Sequence, residues 1–430
     1  MRLSGRIAAA IEVLADIEAR HRPVAEALRD WGLSHRFAGA GDRAAIGNLV
    51  YDALRRRLSI AWRTGGDTPW HLAVGAAIVE WGSAPEALNA AFAEDRHAPA
   101  PIPDDVIAHL ATADLADAPP HVRADIPEWL APHFKAAFGD AWPEEGAALA
   151  GRPPLDLRVN TLKASREKVA PQLARLGAAP TPFSAIGLRI PPVDGPRRHP
   201  NVQAEEAYQR GRIEVQDEGS QICALLTGAQ PGEQVLDFCA GAGGKTLALA
   251  ARMENRGQIF AYDFDKNRLA PIFERLKRAG ARNVQVRSPS PGVLDELVRR
   301  MDRVLVDAPC TGTGIWRRRP DAKWRLTSEA LDRRIAEQDT VLAEAARFVR
   351  PGGVLAYATC SLLPAENGDR IAAFVASHPA FQPVAMDPAW RAAIPESEPP
   401  VSAVSDTSLL LTPLRTGTDG FFLALLQRTA

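Results

Sequence analysis

The sequence predicts an α/β protein: an open, mostly parallel sheet with covering helices in the second half of the chain. A small α/β segment and an all-helical front precede it. Three observations carry this. Apolar residues in the front recur at helical spacing, and no strand-like alternation appears before about residue 155. From about residue 216, short apolar runs alternate with amphipathic stretches, as a parallel sheet with crossover helices requires. The first of those runs opens into a glycine loop, which marks a ligand-binding edge.

The elements follow in order. Leu3, Ile7, Ile11, Leu14 and Ile17 predict a helix over 3–19. Ile46, Leu49, Val50, Ala53, Leu54 and Leu58 predict another over 42–58, with Asp42 as its N-cap. Further helices are predicted near 70–81, 86–94 and 104–115, and a Pro-rich zone from Pro99 to Pro127 covers the exit. The expected division is a helical domain over 1–125, a small α/β domain over 126–215 and a larger α/β domain over 216–430. In the middle domain, 155–159 and 188–190 read as strands, and 165–176 as a helix ended by Gly177. In the last, strands are expected at 234–238, 257–262, 283–287, 303–307 and 353–358, with helices at 245–254 and 265–279. Two closing strands are expected at 408–412 and 421–427. The second is continuously apolar, as a strand buried on both faces should be.

Composition narrows the function. The 430 residues carry a net charge of −1, so no bulk positive field announces a nucleic acid and any such contact must be local. Hydrophobic residues at 46% and charged residues at 24% fit a soluble globular protein. No apolar stretch is long enough for a membrane span, which predicts a cytoplasmic protein without a membrane partner. The four cysteines form no CxxC pair and no histidine cluster has zinc-site spacing, so neither a metal site nor a disulfide framework is expected.

The glycine loop reads Cys239-Ala240-Gly241-Ala242-Gly243-Gly244-Lys245-Thr246. Three ligands compete for it. A nucleoside triphosphate loop ends in Gly-Lys-Thr but opens with a glycine where this chain has Cys239. A dinucleotide loop needs glycine or alanine where Thr246 stands. S-adenosylmethionine needs a tight glycine turn and an acid at the end of the following strand for its ribose. Asp263, 22 residues after Gly241, supplies that acid. Lys245 is one of only seven lysines beside 44 arginines, which hints at a role for an ammonium.

Two later strands end in cysteines. Arg303 to Asp307 leads into Ala308-Pro309-Cys310-Thr311-Gly312, and Val354 to Ala358 leads into Thr359-Cys360-Ser361. Ligands of open parallel sheets bind outside the carboxyl ends of the strands, so both thiols are placed at the working edge. The chemistry explains the need. Carbon 5 of cytosine is a poor nucleophile, and thiolate attack at carbon 6 makes it enamine-like and able to accept a methyl group. Asp307 is the partner expected to stabilise charge on the base during that attack.

These segments resemble the RsmB/Nop/Sun-type family of RNA cytosine-5 methyltransferases. Leu157-Arg158-Val159-Asn160-Thr161-Leu162-Lys163, Gln216 to Gln221, Arg319-Pro320-Asp321 through Trp324 and Asp419-Gly420-Phe421-Phe422 extend the similarity over about 155–430. Asp42-Arg43 and Leu49-Val50-Tyr51 make the front similar to a NusB-like domain. The resemblance implies a Rossmann-like methyltransferase fold, S-adenosylmethionine as cofactor and RNA as substrate: ribosomal RNA in the first place, transfer RNA as the alternative. It implies Cys360 as nucleophile and Cys310 as the residue that helps release the product. Lys245, Asp263 and Asp307 match the motif lysine and aspartates. A monomer is expected. Two departures stand out. The usual Ala-Pro-Gly-Gly-Lys loop reads Gly241-Ala242-Gly243-Gly244-Lys245 here, without the proline. The aspartate usual after the third strand is replaced by Ser288-Pro289-Ser290-Pro291, and a neutral serine is the weaker acceptor. The second departure admits an alternative: a catalytically weakened homologue that binds RNA as an assembly factor.

For RNA contacts, Arg317, Arg318, Arg319 and Lys323 sit among Trp316 and Trp324 directly after the cysteine turn, a mixture suited to phosphates and unpaired bases. Arg158 and Lys163 are expected to extend that track. The target base must leave its stack to reach a thiol, which favours loops or single strands.

Overall fold

The computed structural model describes residues 1–429, which divide into two compact units. The first comprises residues 1–153, 192–199 and 315–326. It is helical: Leu3–Arg20, Val24–Ser34, Ala40–Arg55, Arg57–Thr64, Pro69–Val79, Pro85–Ala93 and Asp104–Thr112 bury Ile7, Ile46, Leu49, Val50 and Val74 in one core. The helix expected over 42–58 differs in two ways. It starts at Ala40 with Gly39 as N-cap, and Asp42 instead bonds Arg6 from the first turn. It also breaks at Arg56, because the carboxylate of Asp125 accepts from Leu58 N at 2.9 Å and Ser59 N at 3.0 Å and so caps a new helix. Helices Ala131–Phe138 and Trp142–Leu149 group with this unit rather than with the small α/β segment.

The second unit holds two sheets. Strands β1 (Leu155–Val159), β2 (Ala179–Pro180), β3 (Gly187–Ile190) and β4 (Ile213–Val215) form an antiparallel sheet in the order β2-β3-β1-β4. The two short strands β2 and β4 lack an alternating pattern long enough to read from sequence.

The larger sheet uses β5 (Gln234–Asp237), β6 (Gln258–Tyr262), β7 (Val284–Arg287), β8 (Met301–Asp307), β9 (Val349–Thr359), β10 (Phe381–Pro383), β11 (Ser408–Leu411) and β12 (Phe421–Arg428). Its order is β10-β12-β9-β8-β5-β6-β7, with β11 on β12. Strands β5 to β9 run parallel, whereas β12 pairs antiparallel with β9 and β11. Phe421 to Leu426 are all buried, as their unbroken apolar run requires. The chain leaves β5 towards β6 and β7 and returns on its other side as β8 and β9. The carboxyl ends of β5 and β8 therefore flank the point where the order reverses, the place where such sheets bind ligands.

One helical expectation changes, and one long helix was not expected. The stretch 265–279 divides into Lys266–Leu269 and Ile272–Ala279, because Pro271 has no N–H to continue the ladder. The 19-residue helix Ser328–Ala346, whose charged face obscures its apolar stripe, packs against β8 and β9. Among the described residues, no helix is long and apolar enough to cross a membrane.

Candidate functional site

The glycine loop turns tightly between β5 and the Gly244–Arg252 helix. Gly241 and Gly243 have φ of +48° and +82°, which favour residues without a Cβ. At Gly243 the restriction is doubled, since a Cβ there would meet Ile272 Cγ1 at 2.5 Å. Gly241 N donates to Asp263 Oδ2 at 2.9 Å, Ala240 N donates to Tyr262 O at 2.8 Å, and Ala242 O accepts from Arg275 at 2.8 Å. Asp263 is fully buried, and its other oxygen accepts from Asp265 N at 2.9 Å. Each carboxylate oxygen keeps a further lone pair for a ligand hydroxyl. In front of the loop lies open space: a Cβ on Gly241 would meet nothing nearer than Arg268 Nη2 at 3.8 Å, and one on Gly244 nothing nearer than Gln216 Nε2 at 3.9 Å. Side chains at these positions would fill the cradle. The loop, its helix N-terminus and Asp263 therefore fit a ligand bearing an anionic group and a ribose diol.

Beneath the loop, Asp237 accepts from Thr246 Oγ1 at 2.7 Å on one oxygen and has no partner on the other. Burial pushes this carboxyl up to about 7. Cys239 is buried in the sheet core, and burial pushes its thiol well above the usual range, so it forms the wall of the loop and not a reactive group.

Lys245 Nζ sits 2.7 Å from Asp307 Oδ2 and 5.2 Å from the centre of the Phe421 ring. Burial works to lower the Lys245 ammonium, but Asp307 and the neighbouring thiols outweigh it and the net direction is upward. Asp307 keeps about a third of its side chain exposed, and the lysine holds it in place without covering it.

Three residues after Asp307 the chain reaches Cys310, and the end of β9 brings Cys360 beside it. Their sulfurs are 3.4 Å apart. The hydrogen bond to Cys360 and burial push the Cys310 thiol well above its usual range. The remaining cysteine, Cys223, is core: burial pushes it up to about 12.

A residue that belongs to no sequence motif closes the arrangement. Glu366, fully buried in the turn Pro364–Glu366, accepts from Thr311 N at 2.8 Å and Gln338 Nε2 at 2.9 Å, and from the hydroxyls of Thr311 and Ser361. Its only sequence signal is an acid six residues after Cys360, which reads equally well as a solvated turn.

The cations expected on RNA are mostly elsewhere. Arg158 is 1% exposed, donates to Gln216 at 2.6 Å, and is lowered to about 10 by burial. Lys323 is 1% exposed, donates to Arg55 O at 2.9 Å, and is lowered to about 8 by burial. Arg317 is also buried, and Lys163 donates to Arg210 O at 3.0 Å and Arg278 O at 2.6 Å. The reason is packing. Residues 315–326 join the helical unit, where Trp316 stacks on Phe134 and Trp324 donates to Leu54 O. The expectation of RNA contact is corrected for Arg158, Arg317 and Lys323, which are interior, and Lys163 is occupied by two carbonyls. Arg319 is exposed and Arg318 partly so.

Comparisons with known proteins return ribosomal RNA methyltransferases. The family described as 16S rRNA methyltransferase RsmB/F matches residues 224–427, and the RsmF/B-like ferredoxin-like domain matches residues 126–192. The probable ribosomal RNA small subunit methyltransferase B of Synechocystis sp. is 33% identical over 308 residues, 70% of this chain and 66% of that protein. Its Bacillus subtilis namesake is 32% identical over 305 residues, with the same coverage. The ribosomal RNA small subunit methyltransferase B of Sodalis glossinidius is 38% identical, over 62% of this chain and 60% of that protein. The chain thus spans about two thirds or less of the length of these curated relatives. Among solved structures, PH0851 superimposes with a TM-score of 0.72 at 27% identity, covering 100% of this chain and 99% of that one. NSun6 from Pyrococcus horikoshii with SFG gives 0.60 at 22% identity over 71% of this chain and 98% of that one, a likeness of fold.

Proposed function

From the premise that this chain belongs to the RsmB/F family of ribosomal RNA methyltransferases, with S-adenosylmethionine as cofactor, we propose that it methylates carbon 5 of a cytosine in ribosomal RNA through a covalent Cys360 adduct. The observation that carries this reading is the pair of sulfurs 3.4 Å apart beside the Lys245–Asp307 ion pair. The cofactor, when bound, supplies a methyl group on a sulfonium. The Gly241–Gly244 turn and Asp263 hold it.

The chain's own residues do the rest. Asp307, aimed by Lys245, accepts a hydrogen bond from the amino group of the base and so positions the ring for attack. The Cys360 thiolate adds to carbon 6, and carbon 5 becomes nucleophilic. After methylation, a base takes the proton at carbon 5, the freed electron pair restores the double bond, and Cys360 leaves as a thiolate. Cys310, on the neighbouring strand end, assists that release. Arg318 and Arg319 are the cations best exposed to meet phosphates. The reading carries with it a cytoplasmic, monomeric protein acting on an unpaired or flipped nucleotide.

The test is bisulfite sequencing of ribosomal and transfer RNA from cells with and without the protein. A single unconverted cytosine lost from small-subunit ribosomal RNA supports the reading. A change confined to transfer RNA would redirect the substrate, and no change in either would overturn the activity.

One observation favours a second reading. Strand β7 ends at Arg287 and is followed by the exposed Ser288, with no carboxylate where the family usually has one. A weakened enzyme acting as an RNA-binding assembly factor would bind S-adenosylmethionine poorly. Titration calorimetry with the purified chain decides: no detectable heat favours this second reading.

A further inference from the structure

Both loops that carry the reactive thiols are held by one carboxylate. Glu366 bonds the residue immediately after each cysteine: Thr311, through its backbone N–H and its hydroxyl, and Ser361, through its hydroxyl. Gln338, from the long helix behind, donates to Glu366 at 2.9 Å and to Pro309 O at 2.9 Å, which steadies the residue before Cys310 as well. The backbone ties that complete the bracket are Gly314 N to Cys360 O at 2.9 Å and Leu362 N to Thr313 Oγ1 at 2.7 Å.

A covalent mechanism with two thiols on one base needs their separation fixed, since a misplacement of about 1 Å can cost about a hundredfold in rate. Loops ending two different strands do not fix that distance by themselves. A buried acceptor-rich group that receives donors from both loops does.

We propose that Glu366 is a positioning residue for the two thiols: its carboxylate locks the Cys310 loop to the Cys360 loop. This rests on the cytosine-5 reading for its purpose but not for its geometry. Glu366 has a second effect beyond distance. Its negative charge adds to burial and to the Cys360 hydrogen bond in holding the proton on Cys310. The other titratable and charged groups facing this cluster are Tyr357, whose hydroxyl donates to Glu366 O at 2.7 Å, and the Arg370–Asp339 pair. Glu366 acts on the thiols through Thr311 and Ser361.

The experiment is alkylation of the purified full-length chain by iodoacetamide across a pH series, with each cysteine followed by peptide mass spectrometry. In wild type, Cys310 reacts slowly near neutral pH. In Glu366→Gln, the Cys310 midpoint falls, and near neutral pH its rate rises about tenfold, one unit of midpoint. A packing role alone would lower the melting temperature and raise both rates together, and that result overturns the proposal. So does a Cys310 rate unchanged in a folded variant. If Glu366→Gln does not fold, Ser361→Ala keeps the carboxylate and cuts its tie to the Cys360 loop, along with the Ser361 Oγ contacts to Leu363 N at 3.1 Å and Thr313 Oγ1 at 3.2 Å. It should change the ratio of the two rates, and an unchanged ratio overturns the proposal. Alkylation needs neither RNA nor cofactor. Wild-type chain that fails to methylate cytosine therefore defeats the functional reading while leaving this test standing.

Discussion

Lys245 Nζ lies 2.7 Å from Asp307 Oδ2, joining the first turn after the glycine loop to the end of the next parallel strand in the sheet. The lysine is buried and the aspartate is partly open, so the pair is an aimed carboxylate more than a stabilising salt bridge.

Replacing Lys245 by Met should therefore harm turnover more than folding. Asp307 is left unpaired but remains in contact with water, which keeps the destabilisation below the roughly 3–5 kcal/mol of a broken, fully buried pair. Methylation should fall by about a hundredfold or more, the usual effect of losing one preorganised electrostatic group. Thermal unfolding and single-turnover methylation measured on the same variant separate the two effects.

The thiols should separate by phenotype. Cys360→Ala is expected to abolish both methylation and the covalent protein–RNA complex. Cys310→Ala is expected to accumulate that complex, visible as a slowly migrating band after denaturation. The opposite pattern would assign the nucleophile to Cys310.

Asp237 predicts a pH dependence of stability. Its folded value of about 7 lies above that of an exposed aspartate, so the native state binds more protons between about pH 4 and pH 7. Its contribution is fully present below about pH 4 and is lost as pH rises through about 7. Asp237→Asn removes this titration, and its melting temperature should vary less than the wild type's over that window. Equal slopes in both proteins would count against the buried neutral carboxyl.

The basic segment after the cysteine turn should split into two classes. Lys323→Met should destabilise by about 1–3 kcal/mol, because Arg55 O loses its donor and the buried carboxylate of Asp125 loses a nearby positive charge. Its effect on the salt dependence of RNA binding should be small. Arg319→Ala should leave the unfolding free energy within about 0.5 kcal/mol of wild type and lower the salt slope by about one unit or less. Filter binding at several salt concentrations measures both.

The sequence by itself determined the α/β class, the strands from β5 to β9, the glycine turn and both cysteines. Each of these is written locally. Unbroken apolar runs such as Val304 to Val306 set strands, glycines such as Gly243 set a turn that side chains cannot enter, and a motif residue ends each strand. Tertiary structure decided what depends on neighbours distant in sequence. It placed the Cys310 and Cys360 sulfurs, 50 positions apart, within 3.4 Å, and it buried Arg158, Arg317 and Lys323, whose charge alone had marked them for RNA. It also gave Glu366 its meaning, since an isolated acid in a turn looks solvated until Thr311, Gln338 and Ser361 close on it. Local pattern records which face of an element is apolar. Whether a charged side chain meets water or a buried partner depends on the surfaces that pack over it, and those belong to other parts of the chain.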